Sequence, residues 1–257
     1  MSEHLRLEVD GPLAVLTIDR PAKRNAMSFE MWSAVPPVLD KIAADPGVRA
    51  LVVRGTDHFS AGADIGEFAT LRADADGARR YSGAVHAAER AIAGVGRPTI
   101  AAITGSCVGG GCELALACDI RVAAPGARFG ITPAKLGIVY HFTSTRQLVG
   151  AVGPAWAKQI LFTGEIIDAP TALRIGLVNE LADDPVARAF ALAGTIARRA
   201  EVSVRGAKEI VNRIADGQVT EDDAVRALYI ESVTGADYTE GVRAFLEKRA
   251  PRFTGGH

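Results

Sequence analysis

The stretch "GSCVGGGCELALACD", residues 105–119, runs three consecutive glycines, Gly109 to Gly111, straight into an apolar segment that carries one acid, Glu113. A strand candidate, "PTIAAITG" over 98–105, precedes it, and the apolar run after it suits a helix to about Cys118. A glycine turn between a strand and a helix belongs to an α/β core in which backbone comes close to something else. The helix N-terminus presents free N–H groups and the positive end of its dipole. Without a Cβ in the way, a ligand can reach those groups. No Gly-Lys-Ser/Thr follows and the spacing is not G-x-G-x-x-G, so neither phosphate-binding pattern is met. Tight packing between elements is the other reading of the same glycines.

A second turn has the same character. "HFSAGADIGEF", 58–68, sets Ser60-Ala61-Gly62-Ala63 after the strand candidate "VRALVVRG" at 48–55. Two such turns, each closing a core strand, can point two backbone N–H donors at one oxygen, which is the geometry of an oxyanion hole. Such a hole stabilises an enolate formed from a thioester. A carboxylate beside it, Glu113, then has work to do at the carbon next to the carbonyl.

The remaining chain reads as α/β followed by helix. "LRLEVDGPLAVLTID" predicts a hairpin turning at Asp10-Gly11, and "DIRVAAP", 119–125, a further strand. Ser28 is placed to N-cap a helix, with a break or kink expected at Pro36 and Pro37. Helical spacing covers 78–95, and the small and polar residues "ADADGA" leading into it predict a mobile loop. From about residue 153 the pattern is almost wholly helical. Pro154 suits a first turn, Gly176 a helix stop, and Thr220 with Asp223 a capping arrangement. The expected division is a core over 1–195 and a helical part over 196–257.

With 257 residues, 48% of them hydrophobic, the chain can bury a substantial core. A formal charge of −1 without like-charge blocks argues against a nucleic-acid footprint or a polybasic membrane patch. No apolar run approaches the ~18 residues of a membrane span. The three cysteines, Cys107, Cys112 and Cys118, match no zinc spacing and read as small buried fillers. The N-terminal "MSEHLRLEVDG" lacks an apolar signal core. A reduced, cytoplasmic protein is expected.

"RPAKRNAMS", "FSAGADI", "GGGCELALACD", "ARFGITPAKLGI", "ALRIGLVNE" and "EGVRAFLEKRAPRF", in this order along the chain, resemble the crotonase superfamily, also called enoyl-CoA hydratase/isomerase. The resemblance implies a spiral of repeated ββα turns with a helical C-terminal part, assembled as trimers or dimers of trimers. It implies an acyl-CoA thioester substrate, coenzyme A being part of that substrate and no further cofactor being needed. Carried over by residue, the oxyanion hole falls on the N–H groups of Ala63 and Gly110, and Glu113 falls on the first of two glutamates of the hydratase branch. Lys23, Arg24 and Ala26 fall at the nucleotide end of CoA. Ala61, Asp64 and Ile65 fall along the thioester and pantetheine approach, though Asp64 could equally cap the next helix. Phe245 and Lys248, three apart and hence on one helix face, fall where a CoA is met, often in a neighbouring subunit.

The second hydratase glutamate is missing, and Pro133 stands at its position. Proline has no side-chain proton to give or take, so paired-carboxylate hydration is put in doubt. "TPAKLGIVYH" instead resembles the methylmalonyl-CoA decarboxylase branch, in which Tyr140 could hold the departing carboxylate or help to protonate the enolate. That branch carries a histidine where Ala63 stands, and the triple-glycine turn is the hydratase-like form. His141 could compensate. A CoA-binding member with little catalysis is the reading from another functional class.

Overall fold

The computed structural model describes residues 2–253. Strands β1 (Leu5–Asp10) and β2 (Leu13–Ile18) form the expected hairpin, antiparallel, with Gly11 at φ 53° in the turn. Helix α1 (Phe29–Ala44) starts at Ser28, whose Oγ accepts from the Met31 N–H at 3.2 Å. Of the break or kink expected at Pro36 and Pro37, the break does not occur: the helix runs through both. Pro36 is half-buried and Pro37 exposed, so water can take the carbonyls they leave unbonded. Meanwhile Met31, Trp32, Val35, Val38, Leu39 and Ile42 bury the opposite face. Core burial therefore outweighs the local cost.

Strand β3 (Ala50–Gly55) leads through the small helix α2 (Phe68–Leu71) to α3 (Ala75–Ala93). The expected loop around 74 is in fact the start of α3, because Asp74 caps it by accepting from the Gly77 N–H at 2.7 Å. Strands β4 (Thr99–Ile103) and β5 (Ser106–Val108) then precede α4 (Gly110–Ala117). Next come β6 (Ile120–Ala123), β7 (Arg128–Gly130) and α5 (Phe142–Thr163). Helix α5 bends at Gly153 (φ 74°, ψ 164°), so Pro154 opens its second segment as expected. Strand β8 (Ile167–Asp168), α6 (Ala169–Arg174) and β9 (Glu180–Leu181) complete the α/β part.

Four helices follow, α7 (Pro185–Ala197), α8 (Glu201–Ala215), α9 (Asp223–Thr234) and α10 (Ala236–Leu246). The cap of α9 is Asp222, which accepts from the Val225 N–H at 2.9 Å, and not the Thr220–Asp223 pair. Among the described residues no helix is long and apolar enough to cross a membrane. All three cysteines are buried and free, as the filler reading requires.

Two sheets organise the core. The larger runs β1-β2-β3-β4-β6-β9 and the smaller β5-β7-β8. A repeating unit is visible in this: β4, β5, α4, then β6, β7, α5, each time one strand to the large sheet, one to the small sheet, then a helix. Strand β3 begins the same unit, because Ser60 bridges Cys107 in parallel and so takes the small-sheet position. This is a mixed α/β spiral of ββα turns, and the functional consequence lies in its register.

Candidate active site

The register of the small sheet places the two glycine turns at equivalent points of successive spiral turns. Ser60 bridges Cys107, so counting forward sets Gly62 beside Gly109 and Ala63 beside Gly110. The Ser60 N–H donates to the Ser106 carbonyl at 2.9 Å, and the Val108 N–H returns to the Ser60 carbonyl at 3.0 Å. Both glycines have positive φ, 95° at Gly62 and 54° at Gly109, which a side chain would strain. A Cβ on Gly62 would lie 2.6 Å from the Val108 carbonyl oxygen and 3.1 Å from the Gly110 nitrogen. The two turns therefore touch backbone to backbone, and glycine is what permits it.

Gly110 is the first residue of α4, so its N–H has no intrahelical acceptor. Among the described residues neither it nor the Ala63 N–H donates to another group. Both line one cavity of about 740 Å³, counting its open mouth. The Ala61 N–H, by contrast, donates to the Arg24 carbonyl at 3.0 Å, which ties the turn to the segment holding Lys23, Arg24 and Ala26.

Glu113 faces the same cavity from the first turn of α4. A Cβ on Gly110 would stand 3.4 Å from Glu113 Oε2, so the carboxyl lies beside the free N–H. Burial raises the Glu113 pKa to about 8, and the nearby Glu89 carboxylate adds to the rise. The hydroxyls of Tyr140 and Ser144 oppose it. Among the described residues the buried Tyr140 hydroxyl has no partner at hydrogen-bonding geometry, and it lies near the Glu113 carboxyl. Burial and that carboxylate push its own ionisation well above the usual phenol range. His141 lines the cavity and stacks edge-on against His86, ring centroids 4.3 Å apart. Burial, His86 and Arg72 together lower its pKa.

The structure thus brings together Ala61, Ala63, Ile65, Gly110, Glu113, Pro133 and Tyr140 around one cavity. Lys23 and Arg24 are exposed and Ala26 is buried, and none of the three lines the cavity. Asp64 is outside the lining. Its Oδ1 caps the short turn Ile65–Glu67 through the Gly66 N–H at 3.1 Å, and its Oδ2 takes the Arg20 guanidinium at 2.8 Å. Burial alone would raise its pKa, but these bonds and the Arg20 and Lys23 charges outweigh it and hold it low. Asp64→Ala strips both the cap and a largely buried ion pair, and is expected to cost about 2–4 kcal/mol in urea unfolding.

Phe245 and Lys248 do not share a helix face. Helix α10 ends at Leu246, and Lys248 takes a left-handed φ of 54° in the turn beyond. That turn folds the chain back so that Arg249 donates to Glu240 Oε1 at 2.6 Å and the Arg252 N–H to the same oxygen at 2.8 Å. Neither residue lines the cavity of its own chain.

Side chains not singled out in the sequence supply much of the wall, among them Trp32, Phe68, Arg72, Tyr81 and Val85. The Arg72 guanidinium lies 4.6 Å from the Phe68 ring centroid and 5.7 Å from that of Tyr81. Glu89 and Ser144 were also missed, although an acid on the apolar stripe of α3 was a readable signal.

Known proteins are similar to this chain along nearly its whole length. The family model described as enoyl-CoA hydratase/isomerase matches residues 8–256. The crotonyl-CoA hydratase of Syntrophomonas wolfei is 37% identical, with 98% of each chain covered. The short-chain-enoyl-CoA hydratase of Clostridium acetobutylicum is 36% identical over 95% of this chain and 94% of that one. The crystal structure of an enoyl-CoA hydratase/isomerase family protein from Hyphomonas neptunium superposes with a TM-score of 0.94 at 41% identity, covering 98% of this chain and 97% of the other. A match over nearly the whole sequence, relatives of this similarity and a spiral that coincides in space lead to one conclusion: the chain belongs to the enoyl-CoA hydratase/isomerase family.

Proposed function

We propose that the chain is an enzyme of acyl-CoA thioesters that works through an enolate, with the thioester oxygen held by the Ala63 and Gly110 N–H groups and Glu113 moving the proton. The observation that carries this reading is the meeting of the two glycine turns, with the Glu113 carboxyl beside the Gly110 N–H. Two donors aimed at a developing oxyanion lower the barrier to its formation, because they need no reorganisation as charge appears. A carboxyl with pKa near 8 can both take and return a proton at neutral pH.

Proton transfer at the carbon next to the carbonyl, as in double-bond isomerisation, needs that one carboxyl. Hydration also needs a water activated from the other side, where Pro133 lines the cavity. The relatives named as hydratases support the acyl-CoA substrate and keep hydration in the test. Decarboxylation of a malonyl-type thioester is the second reading, favoured by the buried and unpartnered Tyr140 hydroxyl.

The CoA chain is assigned to Ala61 and Ile65, with Lys23, Arg24 and Ala26 at its nucleotide end. Phe245 and Lys248 would serve a neighbouring subunit of a trimer or dimer of trimers. Exposed Ile230, Val233, Val242, Phe245 and Leu246 on the last two helices support that assembly, which sedimentation would measure.

A side-by-side panel of crotonyl-, 3-enoyl- and methylmalonyl-CoA, followed by absorbance and mass, tests the reaction. Turnover of none of them, with CoA still tightly bound, would favour a binding role over an enzyme. Tyr140→Phe is expected to reduce decarboxylation by about 10–100-fold, the loss of a hydrogen bond to a charged group, and to reduce hydration less. Equal effects on both would remove Tyr140 from carboxylate binding.

A further inference from the structure

Glu89 is an acid with no solvent exposure (0%), placed by α3 among Val85, Ala88 and Ile92. Its Oε1 accepts from Ser144 Oγ at 2.7 Å, and its Oε2 is buried without a partner among the described residues. Ser144, also fully buried, stands in the first turn of α5; its hydroxyl donates to Glu89 and is close enough to the Glu113 carboxyl to pull that pKa down. One hydroxyl thus lies between two buried carboxyls carried by two other helices.

A serine hydroxyl has one proton to donate. Where it bridges the two, it serves one carboxylate as donor and accepts from the other, which then carries the proton. Two carboxylates in such an environment also resist ionising together. We propose that Glu89 is a positioning residue that, through Ser144, keeps one proton on a buried carboxyl pair and exchanges it with Glu113.

The exchange balances. The Glu89 O–H bond breaks as its proton moves to Ser144 Oγ, while the Ser144 proton moves to a Glu113 oxygen. The serine is regenerated and the single negative charge passes from Glu113 to Glu89. With the proton on Glu89, Glu113 meets substrate as a base. With the proton on Glu113, it meets substrate as an acid. The second carboxyl of this arrangement, Glu89, is thus buried outside the cavity wall that Glu113 and Pro133 share.

The other titratable groups around the pair are few. Arg90 neighbours Glu89 on α3 and favours its anion, Cys112 belongs to α4, and Tyr140 precedes α5. The His86–His141 pair flanks them, and burial lowers the pKa of both rings. Burial raises the Glu89 pKa, as it does that of Glu113.

The inference rests on reading Glu113 as the proton-transferring group. Its test reads titration directly, using full-length protein labelled with glutamate carrying 13C at the carboxyl carbon, with Glu113→Gln to assign the signal. In the parent protein Glu113 should titrate at about 8. In Glu89→Gln, which keeps the shape and the Ser144 bond, the Glu113 titration should fall by at least about one pH unit, and the matching limb of the kcat/KM profile should follow. In Ser144→Ala it should move the opposite way, because a hydroxyl that supports the carboxylate is gone. A Glu113 titration unmoved in both variants, with only a lower Tm, would overturn the proposal. Should Glu89→Gln not fold, an unmoved titration in Ser144→Ala overturns it alone. Full turnover in Glu113→Gln would sink the catalytic reading instead, and the titration would still decide the pair.

Discussion

Glu113→Gln should lower turnover of the best acyl-CoA substrate by about 10²–10⁴-fold, the usual worth of a positioned acid or base. The amide keeps the size of the carboxyl, so the cavity should bind substrate nearly as before and the loss should fall on kcat. The same variant should gain stability, in a pH-dependent way. The folded protein holds the Glu113 proton with a pKa of about 8 against the ordinary 4.5. Its favourable contribution is thus full below 4.5 and is lost as pH rises to about 8, where the interior must accept a charge. Glutamine has no proton to lose. The Tm difference between variant and parent should therefore widen between about pH 5 and pH 8, and calorimetry at those two values checks it. Unchanged turnover would remove Glu113 from the mechanism, whatever the Tm does.

Gly62→Ala should be as damaging by a different route. The added Cβ meets the Val108 carbonyl oxygen at 2.6 Å and the Gly110 nitrogen at 3.1 Å, at a φ of 95° that alanine resists. Something must move, and what lies there is the backbone of the two donors. Oxyanion stabilisation should fall by about 10²–10³-fold in kcat. Stability should fall by about 1–3 kcal/mol from backbone strain alone. Gly109→Ala is the control, because φ there is also positive, 54°, but open space surrounds the added Cβ. It should show the strain in urea unfolding with a smaller loss of kcat. Equal kcat losses in both would mean that the close approach of the turns is not what positions the donors.

Much of this site was legible as residue types and little of it as geometry. The glycine turn and Glu113 stood out because three glycines and an acid conflict with an apolar run, and such conflicts collect at functional sites. Ser28 and Pro154 behaved as local rules say. Pro36 and Pro37 did not, because a helix with Trp32, Val38 and Leu39 buried on its inner face tolerates lost bonds on its outer one. Lys248 was misplaced for a similar reason: Glu240 gathers Arg249 and the Arg252 N–H from residues further on, which periodicity does not see. Glu89 and Ser144 are 55 residues apart, and only the folding of α3 against α5 makes them neighbours. Pairings of that kind are set by packing.

The bridge between Ser60 and Cys107 fixes more than a sheet edge. Because the Ala63 and Gly110 N–H groups each lie three residues beyond it, their phase is set by one rung of parallel pairing, in which neighbouring strands lie about 4.8 Å apart. Side chains along either turn can drift without changing that phase. A single inserted or deleted residue between the rung and a donor would put the two out of phase. Exchanging acids, phenols or prolines around the cavity leaves that phase untouched, whereas a change in the length of either short segment does not.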